Sequence, residues 1–448
     1  MPLPPGPEAP SALQAIRWIR NPFGMMVRYQ ARYGDAFTIR LPMAPAGVVV
    51  VADPDVVKEV FALDSDEGHA GKAAAILKPF LGRHSLLVLD GAEHKRQRKM
   101  MLPAFHGERM HAYGRSMIDL AHDSIDRWPV GRPFPVHRPM QQVTLQVIIR
   151  TVFGIGEGPR FAELAYVLTR TLDAGAWPAL LFPFMQRDLG RFSPWGRFLH
   201  YAGRASDILR GEIRAGREQG TAGRTDVLAM MLDARDEAGR AMSEDEIHDE
   251  LITLLSAGHE TTATALAWAL RWILPDRGLV ARLRGEIATA DGDPQRIAKL
   301  ELLDATVKES LRLQPVIPLV ARVLQRPMRL GPLDLPAGAS VAPSIYLVHH
   351  RASLYPDPYR FRPERFLAFK PSPSEWLPFG GGLRKCIGAA FAIYEMKMVL
   401  AAMLPRVDAR LATDRITPTR RAITITPSEG MPIVVTARRS REACMKAA

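Results

Sequence analysis

The sequence predicts a mainly α-helical fold with a minor β part. Over residues 54–311, apolar side chains recur three and four positions apart, and the pattern breaks at proline or glycine, which is typical of consecutive helices. The β-branched and apolar runs are short and scattered, and they do not alternate with helices as in a parallel sheet. Strands are predicted at residues 37–40, 48–52, 319–324, 340–343 and 423–435, and the first two form a hairpin.

The composition indicates an ordinary globular protein. Of the 448 residues, 47% are hydrophobic and 24% are charged, which excludes a disordered or fibrous chain. Length alone favours two or three domains of ~150 residues each. The two cysteines form no C-x-x-C pair, which excludes a disulfide scaffold and a structural zinc site of that kind. The net charge of +12 favours an acidic partner. Residues 1–10 contain no long apolar run, so we expect a cytoplasmic protein without signal peptide or membrane anchor.

One helix is predicted to be unusually long. Ser243 and Glu246 have the spacing of a capping box, which marks a helix start. Apolar or small residues then recur at helical spacing as far as Ile273, and Pro275 ends the pattern. A helix of about 32 residues is roughly 48 Å long. Because such a helix would cross the whole protein, we expect its middle to be deeply buried.

The middle of this helix carries the polar side chains Glu260, Thr261 and Thr262. A carboxylate and two hydroxyls are unusual in a helix core because unpaired buried polar groups are costly. Two interpretations remain open: a functional buried cluster, or a polar helix face that meets solvent. A zinc-protease motif is excluded, since Ala263 stands where the second histidine would be needed.

A glycine-rich loop contains the second unusual feature. Cys386 follows a run of three glycines and precedes a helical pattern over residues 389–404. Near a helix N-terminus, free amides and the positive end of the dipole stabilise a thiolate, as a metal-bound cysteine requires. The glycines match neither the dinucleotide fingerprint nor the phosphate P-loop. A lone cysteine is often a small core residue, but the glycines and neighbouring cations favour a functional role.

A third feature is the pair Glu309 and Arg312, which are neighbours on one face of a helix that ends before Pro315. Such pairs are common on solvated helices, so this one alone indicates little. The order of all three features along the chain is more informative than the pair alone.

In this order, the three features resemble the cytochrome P-450 haem-thiolate monooxygenases. Residues 257–262 are similar to the oxygen-activation segment of that family, with Glu260 where aspartate is more usual. The glutamate–arginine pair is similar to the E-x-x-R motif, and residues 363–366 to the segment whose arginine completes a Glu-Arg-Arg cluster. The family's F-x-x-G-x-R-x-C-x-G pattern is matched at Phe379, Gly382, Arg384, Cys386 and Gly388.

The resemblance implies a single-domain cytochrome P-450 fold over residues 1–448, with the long central helix over the haem. Its small β-rich part is expected near residues 33–52, 316–345 and 420–436. The implied cofactor is haem b with the Cys386 thiolate as axial ligand, and the electrons derive from external NAD(P)H. The haem carries the activation of O₂ and the insertion of one oxygen atom, while the protein positions groups and delivers protons.

The resemblance also assigns roles to residues. Glu260 and Thr261 are expected to relay protons, and Ala257 with Gly258 to leave room over the iron. Many family members have tryptophan in place of His94, which is nonetheless expected to donate a hydrogen bond to a haem propionate. The residues expected to bind the cofactor are His94, Arg98, Arg322, Phe379, Arg384 and Cys386. The residues expected to hold the cysteine loop are Glu309, Arg312 and Arg365.

The implied electron donors are a separate acidic ferredoxin and its reductase, because the chain ends too soon after Cys386 for a fused reductase. A group of cations near the haem site is expected to dock the ferredoxin by charge. The alternative is that these cations only form a solvated helix face. We expect a monomer that binds no nucleic acid, since no reading motif is present. The expected docking residues are Lys95, Arg96, Arg98, Lys99 and Lys385.

The substrate is expected to be apolar and lipid-like, such as a terpenoid, a steroid or a fatty acyl chain. Residues 174–185, which correspond to the family's mobile lid, contain Trp177, Leu180, Leu181, Phe182 and Phe184. Alternatively, these are plain core residues or an apolar tip that touches a membrane. The other residues expected to line the pocket are Ala257, Val316, Ile317, Leu319 and Val320.

Two other functions remain open. A peroxide-driven family member would lack the acid–alcohol pair, which Glu260 and Thr261 provide. A haem or lipid carrier without turnover would not need a proton relay. Cys386 is expected to be the only haem ligand, because Cys444 lies in a basic tail without a glycine-rich loop.

Overall fold

Helices make up most of the structure, a computed structural model that describes residues 2–105, 113–154 and 158–441. This confirms the predicted mainly α-helical class. The α-helices are α1 (Ser11–Arg20), α2 (Pro22–Tyr33), α3 (Pro54–Ala62), α4 (Ala70–Ala73), α5 (Lys78–Leu81), α6 (Gly91–Met101), α7 (Gly114–Ile125), α8 (His137–Phe153), α9 (Pro159–Gly175), α10 (Pro194–Gln219), α11 (Val227–Asp233), α12 (Glu244–Ile273), α13 (Arg277–Ala288), α14 (Pro294–Ile297), α15 (Glu301–Leu313), α16 (Ile345–His349), α17 (Arg365–Ala368) and α18 (Ala389–Met403).

The strands are short and form small sheets. The largest sheet in the described ranges has five strands in the order β1-β2-β8-β5-β3. The strands are β1 (Ala36–Leu41), β2 (Ala44–Val51), β3 (Gly68–His69), β4 (Pro133–Pro135), β5 (Arg322–Leu324), β6 (Met328–Leu330), β7 (Leu333–Leu335), β8 (Ser340–Pro343), β9 (Val407–Leu411), β10 (Pro418–Arg421), β11 (Thr424–Pro427) and β12 (Pro432–Arg438).

The predicted β1–β2 hairpin is confirmed, with Phe37 opposite Val50 in an antiparallel pair. Strand β8 then pairs with β2 in parallel and coincides with the predicted residues 340–343. The predicted strand at 319–324 is shorter than expected, because only its last three residues join the sheet as β5. Very short strands such as β6 and β7 were not predicted, since three residues carry too little periodicity to recognise.

The single strand predicted at residues 423–435 is wrong, because the segment forms β11 and β12 with a turn between them. Glu429 and Met431 in that turn have positive φ angles of 53° and 56°. Left-handed backbone reverses the chain direction and interrupts the ladder. Strand β11 therefore pairs with β10, whereas β12 pairs with β4 and β9.

The long central helix is α12, which spans 30 residues and begins with the predicted capping box. The Glu246 amide donates to Ser243 Oγ at 3.1 Å, and the Ser243 amide donates to Glu246 Oε2 at 2.7 Å. At 1.5 Å per residue the helix is about 45 Å long. It packs against α8, α10, α15 and α18, so most of its length is enclosed by other helices.

Two hydrophobic clusters share α12. One cluster joins the helix as far as Leu255 to α8, α9, α10 and α11. The other joins it from Ala263 onward to α7, α15 and α18. Residues 256–262, which belong to neither cluster, form the polar middle of the helix. No helix among the described residues is long and apolar enough to cross a membrane.

Candidate active site

The cysteine loop is built on a close approach to α3. The Cys386 amide donates to the Phe379 carbonyl at 2.9 Å, which closes the loop. Gly380 and Gly382 have positive φ angles of 67° and 63°, a conformation that favours glycine. A Cβ on Gly382 would lie 1.9 Å from the Phe61 carbonyl oxygen. No larger residue fits there, which gives a physical reason for the glycine run.

Cys386 precedes α18, and its side chain has accessible surface. The protein packed around it nevertheless removes solvent from the thiol, and this burial raises the pKa of the thiol. The Gly388 amide, Arg98 and Lys385 oppose the shift and lower the pKa. A thiolate here is consequently favoured by coordination to a metal cation.

Four predicted cofactor-binding residues come together beside this loop. Burial and the charges of Arg384, Arg98 and Arg322 lower the pKa of His94 to about 3. His94 Nδ1 is buried and has no hydrogen-bond partner among the described residues. Asp90 is the only carboxylate, within the same ranges, that forms an ion pair with any of the three arginines. The three arginines carry three positive charges, and Asp90 balances only one of them. Together with the unpartnered His94 Nδ1, they can bind a group with two carboxylates, such as the two propionates of haem.

The same arginines connect three parts of the chain. Arg98 of α6 donates to the Lys385 carbonyl at 2.6 Å, directly before the cysteine. Arg384 donates to the Leu86 carbonyl at 2.9 Å, and Arg322 lies on β5. The positions of Arg98 and Arg384 therefore depend on the position of the cysteine loop.

The predicted structural cluster is also formed. Glu309 and Arg312 are both 0% exposed and make two hydrogen bonds, at 2.7 and 2.9 Å. Arg365 Nε lies 3.0 Å from Glu309 Oε1, and the Arg362 amide donates to the same oxygen at 2.9 Å. We call Glu309, Arg312 and Arg365 the anchor cluster. It fastens α15 to the segment that leads into the cysteine loop.

His349, at the end of α16, is a connecting residue that the sequence analysis missed. Its Nε2 accepts the Leu377 amide at 2.7 Å, so the neutral ring carries its proton on Nδ1, which lies 3.0 Å from the Arg312 carbonyl. Burial holds the pKa of His349 well below its usual range, consistent with a neutral ring. Hydrogen bonds thus connect Arg312 through His349 to Leu377, which lies two residues before Phe379. Its only sequence signal was a histidine at the end of an apolar run.

The polar middle of α12 is partly enclosed: His259 and Thr262 are buried, Glu260 and Thr261 are partly buried, and Ala257 is exposed, so the polar side chains do not form a freely solvated helix side. Thr262 is 3% exposed, and its hydroxyl donates to the Gly258 carbonyl at 3.0 Å. The Thr261 hydroxyl donates to the Ala257 carbonyl at 2.6 Å. A Cβ on Gly258 would lie 3.1 Å from Ile148 of α8. Gly258 thus permits close helix packing, rather than only leaving room over the iron.

The Glu260 carboxylate contacts side chains of α8 and β10. Gln141 donates to its Oε2 at 2.5 Å, and Arg421 Nε lies 3.3 Å from its Oε1. Burial raises the pKa of Glu260, although Arg421 and Gln141 act in the opposite direction. A cavity of about 280 Å³ with both polar and apolar walls lies beside this cluster. Its lining includes His137, Arg138, Gln141, Asp173, His259 and Arg421.

Most residues predicted to line the substrate pocket pack in hydrophobic clusters. Val316 lies in the cluster around the second half of α12. Leu319 packs near α2, and Val320 packs against the five-stranded sheet. Ile317 is partly buried and belongs to no cluster, while Ala257 is exposed in the middle of α12. Ile317 and Ala257 therefore remain the better candidates.

The lid segment has two different sides. Leu180 is 0% exposed and packs with Trp195 and Phe198 of α10. Trp177 and Phe184 are 48% and 65% exposed. The inner side of the lid is therefore a small apolar core.

The cations of α6 are mostly paired within the protein. Lys95 lies 2.8 Å from Asp64, and Lys99 lies 2.6 Å from Glu237. Arg96 bonds both Asp236 and Glu246. Arg96 therefore ties α6 to the start of α12, and a docking role for it stays a prediction. Cys444 lies outside the described residues.

Comparisons with known proteins agree with this geometry. A sequence model of the family "Cytochrome P450" matches residues 2–433. Cytochrome P450 135B1 of Mycobacterium tuberculosis is 40% identical over 100% of this chain and 94% of its own length. Cytochrome P450 138 of the same organism is 35% identical over 97% of this chain and 96% of its own length.

A solved structure shows the same fold. The retinoic acid-bound cyanobacterial CYP120A1 superposes with a TM-score of 0.85 at 23% identity, covering 98% of this chain and 100% of that one. At this identity the likeness concerns the fold.

Proposed function

Because the chain belongs to the cytochrome P450 family, and is therefore a haem-thiolate monooxygenase supplied with electrons by an external reductant, we propose that it oxidises an apolar, lipid-like substrate. We further propose that it works as a single cytoplasmic domain over residues 1–448, with a ferredoxin and its reductase as electron donors. When bound, the haem supplies reductive O₂ activation and the transfer of one oxygen atom to the substrate.

The observation that carries the assignment of the haem site is the convergence of Cys386 with a cationic cluster. Cys386 is the thiolate ligand in this proposal. Arg98, Arg322 and Arg384 would hold the two propionates, and Asp90 would restrain Arg384 from the other side. His94 would donate the hydrogen bond for which its Nδ1 has no partner among the described residues. Buried cations need anionic partners, so the cluster and the group stabilise each other.

The protein's second task is to keep the cysteine loop in place. The anchor cluster is fully hydrogen-bonded and lies on α15, and His349 transmits its position to Leu377. Because a saturated buried network has few alternative arrangements, the loop that carries Cys386 is held rigidly.

Proton delivery is proposed for Glu260 and Thr261. A carboxyl with a raised pKa is better suited to hold and pass on a proton, and the Glu260 partners Gln141 and Arg421 line a cavity through which water can supply one. Thr261 is the next residue of the helix. Its hydroxyl, which donates to the Ala257 carbonyl, can rotate and donate to a group bound at the haem site instead. Thr261 would therefore deliver the proton that Glu260 supplies.

The proposed substrate class rests on the apolar segments that correspond to the family's pocket. Ile317 is a partly buried aliphatic side chain outside the hydrophobic clusters, and Ala257 is exposed in the middle of α12. Neither side chain can pair with a charged group. Affinity would therefore come mainly from apolar burial at ~25 cal/mol per Å².

A ligand titration that follows the haem absorbance tests this proposal. We expect a terpenoid, a steroid and a fatty acid to bind more tightly than small charged compounds. Ile317→Asn should weaken apolar ligands by about tenfold, since a buried aliphatic side chain contributes more than 1 kcal/mol. Leu367→Asn is the matched control, because Leu367 is 47% exposed. Tight binding of small charged compounds alone would exclude a lipid-like substrate.

A further inference from the structure

Arg420 on β10 is a cation without an anionic partner in the described part of the chain. Its Nε donates to the Ala422 carbonyl at 2.8 Å, which is the only hydrogen bond that its side chain makes within those residues. Its Nη1 is buried and has no partner there. Burial lowers the pKa of Arg420 to about 10, and no neighbouring carboxylate opposes that shift. The positive charge is therefore desolvated but not balanced by the protein.

The next residue on the same strand, Arg421, has a different environment. Its Nη2 lies 2.8 Å from Asp173 Oδ1, and its Nε lies 3.3 Å from Glu260 Oε1. Because consecutive residues of a strand point to opposite faces, Arg420 lies on the other side of the hairpin. There its guanidinium carbon is 5.2 Å from the centre of the Trp18 ring of α1. An aromatic face attracts a cation, but it does not replace an acceptor for each N–H group.

The strand that carries Arg420 is joined to an apolar segment of the chain. Ile425 of β11 lies opposite Arg420 in the hairpin, and its amide donates to the Val316 carbonyl at 2.9 Å. The next residue, Ile317, is partly buried and free of the hydrophobic clusters. Ile425 itself belongs to an apolar cluster against which Leu319 packs. The unbalanced cation is therefore connected, through β11, to aliphatic residues expected to line the substrate pocket.

The physical chemistry of this position indicates which ligand would stabilise it. A buried charge without a partner is costly, so a group that supplies the missing anion gains free energy by binding there. Part of the Arg420 side chain remains accessible, which leaves room for an approaching group. A carboxylate can accept two parallel N–H bonds from one guanidinium, a geometry that an alcohol or an ether cannot reproduce.

We propose that Arg420 binds a carboxylate at one end of the substrate, so that the enzyme acts on a lipid-like carboxylic acid. The proposal rests on the proposed function, from which it takes the apolar character of the rest of the substrate. Arg420 holds the anionic head group, while the aliphatic residues after Pro315 contact the tail. A fixed head group also limits which carbon atoms of the tail can reach the haem, because the length of chain between them is fixed.

Titrations with dodecanoate and dodecanol, followed by the haem absorbance, test this proposal, because the two ligands share one tail and differ in the head group. The wild type should bind dodecanoate at least about tenfold more tightly. Arg420→Gln should weaken dodecanoate by about tenfold to hundredfold and change dodecanol by less than about twofold. Arg420→Lys keeps the charge and should restore part of the preference. Arg415→Gln removes an exposed cation near the same hairpin and should change neither affinity.

Three other outcomes would overturn the proposal. Equal weakening of both ligands in Arg420→Gln would mean that Arg420 only supports the hairpin, and the apolar substrate class would still stand. Unchanged dodecanoate affinity, together with lost binding to vesicles of phosphatidylglycerol, would assign Arg420 to an anionic membrane surface instead. If the wild type bound neither these two ligands nor a terpenoid or a steroid, the proposed substrate class would fail as well. Failure of the head-group assignment and failure of the proposed function are therefore distinguishable.

Discussion

Two buried carboxylates, Glu309 and Glu260, lie in two regions of the site and are held in opposite ways. Both oxygens of Glu309 are bonded, by Arg312, Arg365 and a backbone amide. Glu260 accepts one bond from Gln141, and its Oε1 accepts no hydrogen bond among the described residues. The saturated carboxylate has no favourable alternative arrangement, whereas the unsaturated one can change its partner and its protonation state. One region therefore fixes geometry, and the other is free to respond.

The largest effect is expected in the fixed region, at Cys386. The reduced carbon monoxide complex should show the red-shifted Soret band of thiolate ligation, and Cys386→Ala should lose it completely. Cys444→Ala is the control and should keep the band. Loss of the band in the second variant alone would overturn the assignment of the ligand.

The anchor cluster should show the next largest effect. Arg312→Leu removes two of the four bonds to Glu309 and leaves the buried Glu309 Oε2 without its partner, which should lower the free energy of unfolding by ~3 kcal/mol in urea titrations. Arg282→Leu is the matched control, because Arg282 pairs with Glu364 on the surface and is 52% exposed. Glu260→Gln should cost far less than Arg312→Leu. Equal costs for these two substitutions would contradict the contrast between the two regions.

The responsive region should make stability depend on pH. The pKa of His137 falls from 6.5 to about 3 on folding. Between these values unfolding takes up a proton, so the free energy of unfolding decreases as the pH falls below 6.5, by ~1.4 kcal/mol per pH unit for this residue. His137→Gln should remove that part of the slope, whereas the exposed His200→Gln should not. An unchanged slope in His137→Gln would show that His137 is not buried as a neutral ring.

Thr261 distinguishes proton delivery from a purely structural role. Thr261→Ala should still bind haem and substrate but divert reducing equivalents to peroxide, so that less product forms per NADH. Thr262→Ala is the matched control, because Thr262 makes the same type of bond to a helix carbonyl. Wild-type product yield, accompanied by lost stability, would mean that Thr261 only shapes the helix.

The smallest effect is expected at the surface near the cysteine loop. Lys385 is exposed beside Cys386, and Lys385→Glu should slow reduction by the ferredoxin without changing substrate binding. The difference should shrink at high salt. Lys299→Glu is the control, since Lys299 is exposed and is not among the expected docking residues. Unchanged reduction rates for Lys385→Glu at low ionic strength would refute docking at this position.

Local sequence signals predicted the fold class and its longest element well. The capping box at Ser243 and the periodicity to Ile273 placed α12 closely, because both signals act within a few residues. The segment at 423–435 was misassigned although it also contains a local signal. Its two strand-like runs are separated by Pro427, Ser428, Glu429 and Gly430, which are typical turn residues, and the backbone has positive φ angles there.

The candidate site was predictable to different degrees. The cysteine loop and anchor cluster have characteristic spacings, and the structure brings their residues together. His349 and Arg421 were missed because each acts through residues far away in sequence. The internal ion pairs of Arg96 were missed because its charge is visible in the sequence, whereas its partners Asp236 and Glu246 are not identifiable there.

The sequence by itself determined the identity of the chemical groups: a thiolate before a helix, a glycine-rich turn, and an acid–alcohol pair at the middle of a long helix. These depend on short-range spacing and backbone conformation. Only the tertiary structure decided which charges are paired and which carboxylate is saturated. Arg312 and Arg421 are both arginines beside a glutamate, yet one is 0% exposed and fully bonded while the other is shared with Asp173. Ion pairing and desolvation depend on distances between elements remote in the chain, and packing of the whole molecule sets those distances.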